Sequence, residues 1–302
     1  TGASVILGSA TPSLESYYRA QKGRYRLFTL THRAGGAVLP RIWVTDLREE
    51  LERKNRSIFG EKLTELMEDR LQKREQIILF LNRRGYAGSV SCRKCGEVLK
   101  CPHCSVSLTA HIRYGRLDQL VCHYCGYQTS MPALCPNCQS KYIGTFGIGT
   151  QKVEQMVRER FPEAGVLRMD ADTTTGKEGH EKILQDFASG SADILIGTQM
   201  IVKGHDFPNV TLVGILAADL SLNVGDFRAA ERTYQLLAQA AGRAGRGDKP
   251  GDVVLQTYQP EHYSIVAAAK QDYMGFYQQE LIQRQILQYP PVSNILGVLV
   301  LS

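Results

Sequence analysis

The sequence lacks any apolar run long enough to cross a bilayer, and its first residues, TGASVILGSATPS, have neither a basic start nor a long hydrophobic stretch. A membrane helix needs about 18 apolar residues, so membrane insertion and secretion are set aside and a cytoplasmic location is expected. Thr1 is not an initiator methionine, and Val5, Ile6 and Leu7 resemble a strand already under way. We therefore expect the chain to be a piece of a longer protein.

A strong excess of one charge is also missing. The 36 basic and 30 acidic side chains give a net charge of +6, which suits a polyanionic partner without requiring one. With 302 residues, 43% of them hydrophobic, the chain is long enough for two domains and can fill ordinary buried cores. Disorder and a small disulfide scaffold are therefore not expected.

Cysteine is absent outside residues 92–138, but eight cysteines lie within that stretch as four CxxC pairs. Two intervening residues let a tight turn direct both thiolates at one ion, and four sulfurs complete the tetrahedron that structural zinc prefers. Gly96 and Gly126 directly follow a pair, where a positive φ lets backbone N–H groups point at the thiolates. Secreted disulfides, an iron–sulfur cluster and thioredoxin-like redox pairs fit the pattern less well.

The spacing of the pairs predicts a nested arrangement of two zinc sites. Residues 105–121 separate the two inner pairs, a length close to that of a zinc ribbon, so the outer pairs are left to meet around the second ion. Because sulfur would fill every ligand position, both Zn²⁺ ions are expected to be structural and not catalytic. The predicted ligands are Cys92, Cys95, Cys135 and Cys138 at the first site, and Cys101, Cys104, Cys122 and Cys125 at the second.

The Cys-rich stretch is not strongly basic. It has five basic and two acidic side chains, and the net charge becomes −1 once eight thiolates and two Zn²⁺ ions are included. Arg93, Lys94, Arg113 and Arg116 could contact DNA or a protein partner, or could be ordinary solvated surface charges.

On either side of this stretch the pattern is α/β. Short apolar runs bounded by turn residues predict buried parallel strands at residues 77–81, 166–169, 194–196, 212–216 and 253–255. Thr150 is placed to cap a helix that Pro162 ends, and Trp43 is expected to pack in the core. The alternation predicts an open parallel sheet with helices on both faces and ligands at the carboxyl ends of the strands. The predicted helical stripes are Leu63, Leu66, Met67 and Leu71; Val153, Met156, Val157 and Phe161; Ile183, Leu184 and Phe187; and Phe227, Ala230, Tyr234, Leu237, Ala238 and Ala241.

The last of these helices leads into QAAGRAGR at residues 239–246. Two arginines three positions apart lie on one side of a helical turn, and glycines permit a close approach of the backbone. In isolation, this pattern is typical of a helix end, with a glycine as the C-cap and arginines complementing the helix dipole.

Taken in chain order, four segments resemble the motifs of superfamily 2 helicases. SAT at residues 9–11 is similar to motif III, LFLNRRGY at 79–86 to motif IV, IGTQMIVKGHD at 196–206 to motif V, and QAAGRAGR to motif VI. A two-zinc insert directly after motif IV narrows the resemblance to the primosomal replication-restart DNA helicases, the PriA family. FYQQELIQRQILQYPP at residues 276–291 is similar to the start of that family's C-terminal domain, so the resemblance covers nearly the whole chain.

The resemblance implies a fold and a division into domains. The fold class is an α/β RecA-like parallel sheet lobe with an inserted two-zinc, ribbon-like subdomain. Residues 1–38 would end a first RecA-like lobe, and residues 39–91 with 140–257 would form the second. Residues 92–139 would be the zinc insert, and residues 258–302 would begin a truncated C-terminal domain.

The family's roles can be carried over to matching positions. Arg243 and Arg246 would be catalytic arginine fingers that stabilise charge on the γ-phosphate, with Gln239 ordering that site. Gly204 and Asp206 would contact the nucleotide.

Other matching residues would couple the lobes or hold DNA. Ser9 and Thr11 would link the nucleotide state to lobe movement, although small hydroxyls are also common helix caps. A sequence-independent grip on the DNA sugar-phosphate backbone would come from Asn82, Arg83, Arg84 and Thr198.

One departure from the family pattern concerns ATP. The sequence has no GxxxxGK[ST] phosphate loop, because Gly176 and Lys177 are followed by Glu178, and it has no acidic DExx box for Mg²⁺. In the family both precede motif III, so ATP and Mg²⁺ are expected only in an intact protein, and this piece should not hydrolyse ATP alone.

The resemblance implies an ATP-dependent 3′ to 5′ DNA helicase that acts at stalled replication forks and helps to assemble the primosome. Its expected partners are DNA, as forks and single strands, primosome proteins and single-stranded-DNA-binding protein, with no membrane. Two alternatives remain open: a superfamily 2 translocase that does not unwind DNA, and a noncatalytic zinc scaffold that binds DNA and proteins.

Overall fold

The computed structural model places most of the chain around one parallel sheet. In chain order, the strands of all its sheets are β1 (Arg41–Asp46), β2 (Gln76–Leu81), β3 (Val90–Cys92), β4 (Thr109–Arg113), β5 (Arg116–Val121), β6 (Gln128–Ser130), β7 (Ile143–Thr145), β8 (Val166–Met169), β9 (Ile194–Gly197), β10 (Val210–Leu216) and β11 (Asp252–Thr257), of which six form the parallel sheet. The residues described are 3–30, 39–81, 88–104, 106–113, 116–145, 148–170, 173, 177–198, 201, 207–245 and 249–296.

Six strands form the central sheet in the order β1-β11-β10-β2-β9-β8, and every neighbouring pair is parallel. All residues of β2 and β10 are buried, as expected for central strands that are covered on both faces. The five predicted strands are confirmed, and each extends the apolar run by at most a few residues.

The edge strand β1 was not predicted from the sequence. Its short apolar run, residues 42–44, is half-buried or exposed whereas Thr45 is buried, so β1 lacks the buried apolar run of a central strand. Trp43 lies half-buried in β1 against the apolar cluster of one sheet face, and its indole Nε1 donates to Asp252 Oδ1 at 2.9 Å. Its packing role agrees with the sequence-based expectation.

Helices cover both faces of the sheet, as predicted. Leu63 and Val153 belong to the buried cluster on one face, whereas Phe187, Tyr234 and Phe276 belong to the cluster on the other. In the part of the chain that the structure describes, no helix combines the length and apolarity needed to cross a membrane. The helices are α1 (Leu14–Gln21), α2 (Leu47–Glu52), α3 (Glu61–Gln72), α4 (Thr150–Arg160), α5 (Lys177–Ala188), α6 (Ala229–Ala241), α7 (Tyr263–Lys270) and α8 (Tyr273–Ile286).

The beginning of α4 corrects one prediction. Gly149 is the N-cap and Thr150 is the first helical residue, with no side-chain hydrogen bond capping the helix. The Thr150 hydroxyl instead donates to the carboxylate of Asp170, because the following strand brings that acid within reach. The helix ends at Arg160, two residues before Pro162, as expected for a residue that cannot continue a helix.

The predicted strand at the start of the chain is also wrong. Val5, Ile6 and Leu7 adopt no strand conformation, and their side chains are 79%, 93% and 72% exposed. A strand is stabilised by a neighbour that accepts its backbone hydrogen bonds, and within the described ranges no strand pairs with these residues.

The Cys-rich stretch forms a separate small unit between β2 and α4. The antiparallel pair β3–β7 closes its base, and β4, β5 and β6 form a three-stranded antiparallel sheet. Its core is small, and the cysteine thiols take part in it. The buried members are Val90, Leu99, Cys101, Leu108, Leu120 and Cys122.

This unit packs directly against the loops around the large sheet. A Cβ atom on Gly96 would collide with the carbonyl oxygen of Tyr258, which follows β11. The Tyr124 hydroxyl donates to the carbonyl oxygen of Gly225, in the loop that leads into α6. The Cys-rich unit therefore contacts the lobe through more than the two strands at its base.

Leu79 lies fully buried in the central strand β2, so we expect Leu79→Ala to lower the free energy of unfolding by about 2–5 kcal/mol. The matched change Leu39→Ala, at a side chain that is 52% exposed, should alter it by no more than about 0.5 kcal/mol. Denaturant unfolding followed by circular dichroism measures both, and equal effects would contradict the assignment of β2 to the core.

Candidate functional site

The two predicted four-cysteine groups form in the structure. Within each group all four sulfur atoms lie within 4.8 Å of one another. Sulfur–sulfur distances are 3.6 Å for Cys92–Cys138, 3.7 Å for Cys95–Cys135 and 3.6 Å for Cys101–Cys125. The nested arrangement is therefore confirmed: the outer pairs form one cluster and the inner pairs form the other.

Backbone geometry supports the knuckle conformation at these pairs. Gly96 and Gly126 both have φ of +75°, and each N–H donates to the carbonyl oxygen of the cysteine four positions earlier. Gln139 has φ of +58° and occupies the equivalent position after Cys138. The sequence did not reveal this third position, because only glycine is a clear signal of positive φ.

Hydrogen bonding divides the thiol protons unevenly within the inner cluster. The backbone N–H of Cys125 donates to the Cys122 sulfur and lowers the pKa of that thiol to about 7. A hydrogen bond with the Cys125 side chain raises the pKa of Cys104 to about 12. The lowered pKa of Cys122 favours the thiolate, the form in which cysteine binds metals.

The donor set fits zinc. Four sulfurs at a mutual distance compatible with one tetrahedral ion match a structural Zn²⁺ site, and no ligand position is left for water or substrate. The chain therefore has two zinc-binding sites of four cysteines each. His111 and His123 contact each other through their Nε2 atoms at 3.1 Å and belong to neither sulfur group.

The arginine loop, residues 242–245 in the structure, lies beyond the end of α6, at the amino edge of the sheet. Gly242 is the C-cap of α6, and the N–H of Arg243 donates to the Ala240 carbonyl oxygen at 3.1 Å. The N–H of Gly245 donates at 3.1 Å to the carbonyl oxygen of Val210, the first residue of β10. The loop is thereby fixed beside the start of a central strand.

Glycine is required where this loop turns. Gly245 has φ of +68°, and a Cβ atom there would come within 2.6 Å of the Gly251 backbone nitrogen. The close backbone approach that the sequence suggested is thus an approach to this chain's own residue just before β11.

The two edges of the sheet carry different parts of the helicase-like motifs. Thr198 directly follows β9 at the carboxyl edge, and its carbonyl oxygen accepts from the N–H of Ile201. By the start of β10 the chain has returned to the amino edge, where Arg243 lies. Arg243 thus lies at the edge opposite to the carboxyl ends where ligands were expected, because it follows a helix and not a strand.

The SAT segment lies against α6. The N–H of Thr11 donates to the Ser9 hydroxyl at 3.1 Å, and the Thr11 carbonyl oxygen accepts from Gln235 Nε2 at 3.3 Å. Gln235 lies one turn before Gln239, which is exposed on α6. The residue that caps α1 is Ser13, whose hydroxyl accepts from the Ser16 N–H at 3.2 Å. The structure thus joins Ser9 and Thr11 to the helix that carries Gln239 and precedes Arg243.

Several predicted site residues lie outside the described residues. The structure therefore adds nothing to their predicted contacts with nucleotide or DNA. They are Asn82, Arg83, Arg84, Gly204, Asp206 and Arg246.

A charged network beside the arginine loop was not predicted. Glu75 accepts from the Thr211 hydroxyl at 2.6 Å and pairs with Lys249 Nζ at 3.0 Å. Burial alone would raise the pKa of the Glu75 carboxyl, but these two hydrogen bonds and the charges of Lys249 and Arg70 lower it. No local pattern signals this network, because its members are distant along the chain.

Comparison with known proteins identifies two sequence domains. The helicase conserved C-terminal domain matches residues 138–248, which include β8 to β10, α6 and the arginine loop. The Cys-rich region (CRR) domain of PriA DNA helicase matches residues 101–129, which contain the whole inner cysteine cluster.

Comparison with individual proteins extends this similarity to most of the chain. The replication restart protein PriA of Bacillus subtilis (strain 168) is 55% identical over 95% of this chain, which corresponds to 35% of that protein. The PriA of Synechocystis sp. is 46% identical over 97% of this chain and 36% of its own length. This chain belongs to the PriA family. It spans little more than a third of the length of these two relatives.

Solved structures with lower sequence identity are also similar. Saccharomyces cerevisiae Dbp5 bound to RNA and ADP BeF3 is 14% identical, with 92% of this chain and 54% of that chain covered and a TM-score of 0.43. The Pyrococcus furiosus Hef helicase domain is 18% identical, with 65% and 25% covered and a TM-score of 0.30. The PriA match, the parallel sheet and the two four-cysteine sites confirm the predicted fold class, an α/β RecA-like lobe with an inserted zinc-binding subdomain.

Replacing one zinc ligand should remove one ion only. Cys101→Ser is expected to reduce bound zinc from two ions to one per chain, because the outer cluster shares no ligand with the inner one. The matched change Cys95→Ser should leave the inner ion in place. Metal analysis of the purified variants measures both counts, and the loss of both ions from either variant would show that the sites depend on each other.

Adding one methyl group at Gly251 should loosen the arginine loop. A Cβ there would collide with the backbone of Ala244 and Gly245, so Gly251→Ala is expected to lower the free energy of unfolding by about 1–3 kcal/mol. In Gly144→Ala the new methyl group has no atom within 4 Å, and the change should stay within about 0.5 kcal/mol. Thermal unfolding compares the two, and an unaffected Gly251→Ala protein would refute the close contact.

Proposed function

We propose that this chain is the second motor lobe, with its zinc insert, of an ATP-dependent 3′ to 5′ DNA helicase for replication restart. The observation that supports this most directly is the position of α6. One end of this helix leads into Arg243, and its side chain Gln235 holds the SAT segment at Thr11. A shift of that segment would be transmitted along a rigid helix to the arginine loop.

In this proposal the nucleotide lies between two lobes. Arg243 and Arg246 act as arginine fingers on the γ-phosphate, since a guanidinium is always charged and presents several donors in one plane. Gln239, Gly204 and Asp206 complete the nucleotide contacts. The phosphate loop and the Mg²⁺-binding carboxylates are supplied by protein outside this sequence, which contains neither motif.

DNA would be held at the opposite edge of the sheet. Thr198 lies there after β9, and Asn82, Arg83 and Arg84 follow β2 in the sequence. Contacts with the sugar-phosphate backbone suit a motor that moves along any sequence. Closure of the lobes on ATP would then advance single-stranded DNA, and hydrolysis would reopen them.

The proposed division of the chain follows the same scheme. Residues 1–38 complete the first lobe, residues 39–91 and 140–257 form the second, residues 92–139 form the insert, and residues 258–302 begin the C-terminal domain. The insert would serve primosome assembly through contacts with primosome proteins and single-stranded-DNA-binding protein, at forks in the cytoplasm. Two Zn²⁺ ions would hold its fold.

Removing the Arg243 guanidinium tests the motor role in the full-length protein. Arg243→Ala is expected to reduce DNA-stimulated ATP hydrolysis on the order of 10³-fold, the usual contribution of an arginine finger. Zinc content should remain at two ions, because Arg243 is distant in sequence from every ligand. The control Arg53→Ala removes an exposed guanidinium that pairs with Glu49 and should retain activity.

The outcome separates the proposed function from its alternatives. Unchanged ATP turnover in Arg243→Ala would favour a zinc scaffold over a motor. If the wild-type protein hydrolyses ATP but fails to displace a strand from a duplex with a 3′ single-stranded tail, a translocase without unwinding activity would be favoured.

A further inference from the structure

A surface with basic but no acidic side chains follows the SAT segment, and the proposed function gives it no role. Residues 16–30 contain four basic side chains, Arg19, Lys22, Arg24 and Arg26, and no acid. All four are exposed. Within the described ranges, none of them forms an ion pair with a carboxylate, whereas several exposed arginines of the lobe do.

A glycine turn brings three of these cations together. The N–H of Gly23 donates to the Ala20 carbonyl oxygen and that of Arg24 to the Arg19 carbonyl oxygen, both at 2.9 Å. Gly23 takes φ of +74°, which reverses the chain after α1. As a result Arg19, Lys22 and Arg24 line one cleft of about 540 Å³.

The other wall of the cleft is held rigidly by a buried guanidinium. Pro290, Pro291, Ser293 and Asn294 line this wall. Arg284, which is only 1% exposed, donates through Nη1 to the Pro290 carbonyl oxygen at 2.9 Å. The wall is therefore attached to α8.

The same guanidinium belongs to an ion cluster that joins three helices. Arg284 pairs with Glu231 of α6 at 2.5 Å and with Glu280 of α8 at 2.9 Å. The Leu14 N–H, at the start of α1, donates to Glu231 at 2.8 Å. We call these residues the Arg284 cluster, and they fix both walls of the cleft relative to α6.

The single carboxylate in the cleft is already neutralised. Glu15 lies 2.9 Å from Arg228 Nη2 and 3.5 Å from Arg284 Nη1. Its charge is therefore balanced by two guanidiniums that do not line the cleft, whereas Arg19, Lys22 and Arg24 line it without a carboxylate partner. The cleft as a whole is cationic and suits an anionic ligand.

Aromatic rings lie among these cations. Tyr18 lines the cleft, with Lys22 Nζ 5.4 Å from its ring centroid. Beyond the glycine turn, Phe28 is 72% exposed and lies beneath the Arg26 guanidinium at 4.8 Å. Alternating cations and exposed rings are the combination that binds single-stranded nucleic acid, through phosphate charge and base stacking respectively.

We propose that this cleft binds the phosphodiester backbone of single-stranded DNA. This inference rests on the proposed function, because it adds a second DNA contact to the one at the carboxyl edge of the sheet. DNA held here would lie against α1, whose start is bonded to α6 through Glu231, so strand position would be linked to the helix that precedes Arg243. An extended polyanion fits a solvent-open cleft better than a compact anion does.

The test compares binding of a fluorescent oligothymidylate to the full-length protein by anisotropy. Lys22→Glu combined with Arg24→Glu should weaken binding roughly tenfold or more, and the slope of log affinity against log salt should fall by about 1.4 in magnitude for two lost phosphate contacts. The milder pair Lys22→Gln with Arg24→Gln should show the same direction. Both positions are exposed, so thermal unfolding should not change.

The matched control places the same charge change elsewhere. Lys152→Glu combined with Lys182→Glu alters exposed lysines on α4 and α5 and should leave affinity within about twofold and the salt slope unchanged. Equal losses of affinity in both double variants would show that the effect depends on net charge alone, and would overturn the proposal that this cleft binds DNA. A cleft variant that binds like the wild type would also overturn it.

Two competition experiments identify the ligand. Inorganic phosphate and polyglutamate of matched charge should compete weakly, because neither offers both closely spaced phosphates and stacking bases. Strong competition by polyglutamate would indicate an acidic protein partner, and strong competition by phosphate would indicate a small-anion site; either overturns the DNA assignment. A wild-type protein that binds no oligothymidylate would count against the proposed function itself.

Discussion

Parallel pairing of β2 with β9 and β10 is the constraint on which the rest of the structure depends. Ile78 pairs with Leu195 on one side and Val213 on the other, so all three strands run in one direction through a fully buried layer. Such a sheet has two chemically different edges, because one presents only strand starts and the other only strand ends. Thr198 and Arg243 lie at opposite edges for this reason, and α6 passes between the edges.

Charge burial complements this apolar layer. Removing Arg284, Glu231 and Glu280 from water is costly, and only mutual pairing with additional hydrogen bonds offsets that cost. The Arg284 cluster adds such bonds through the Leu14 N–H and the Tyr263 hydroxyl. Because the geometry must satisfy every partner at once, α1, α6 and α8 are restricted to one relative arrangement, whatever the cluster contributes to net stability.

The sequence predicted what depends on local pattern. Buried parallel strands appear as short apolar runs, and CxxC spacing with a ribbon-length separation identified both cysteine clusters. What it missed depends on distant partners or on atypical residues: β1 mixes Arg41 with buried Thr45, Gln139 adopts a glycine-like φ, and Glu75 meets Lys249 only after folding. Thr150 was misassigned because a threonine before an apolar stripe resembles a cap, whereas its hydroxyl bonds to Asp170.

The closure of the Cys-rich unit at its base has a consequence for how the protein can vary. Cys92 and Cys138 are 46 positions apart in the chain, yet their sulfurs are separated by 3.6 Å. The two ends of the Cys-rich unit therefore lie close together, so the unit connects β2 to α4 as a short loop would. The entropic cost of closing so long a loop is offset at its base by the pairing of β3 with β7 and, when zinc is bound, by ligation through the outer cysteines. A change of length in the connection between β4 and β5 should therefore be transmitted little to the surrounding lobe, because the unit is closed at its base by β3 and β7.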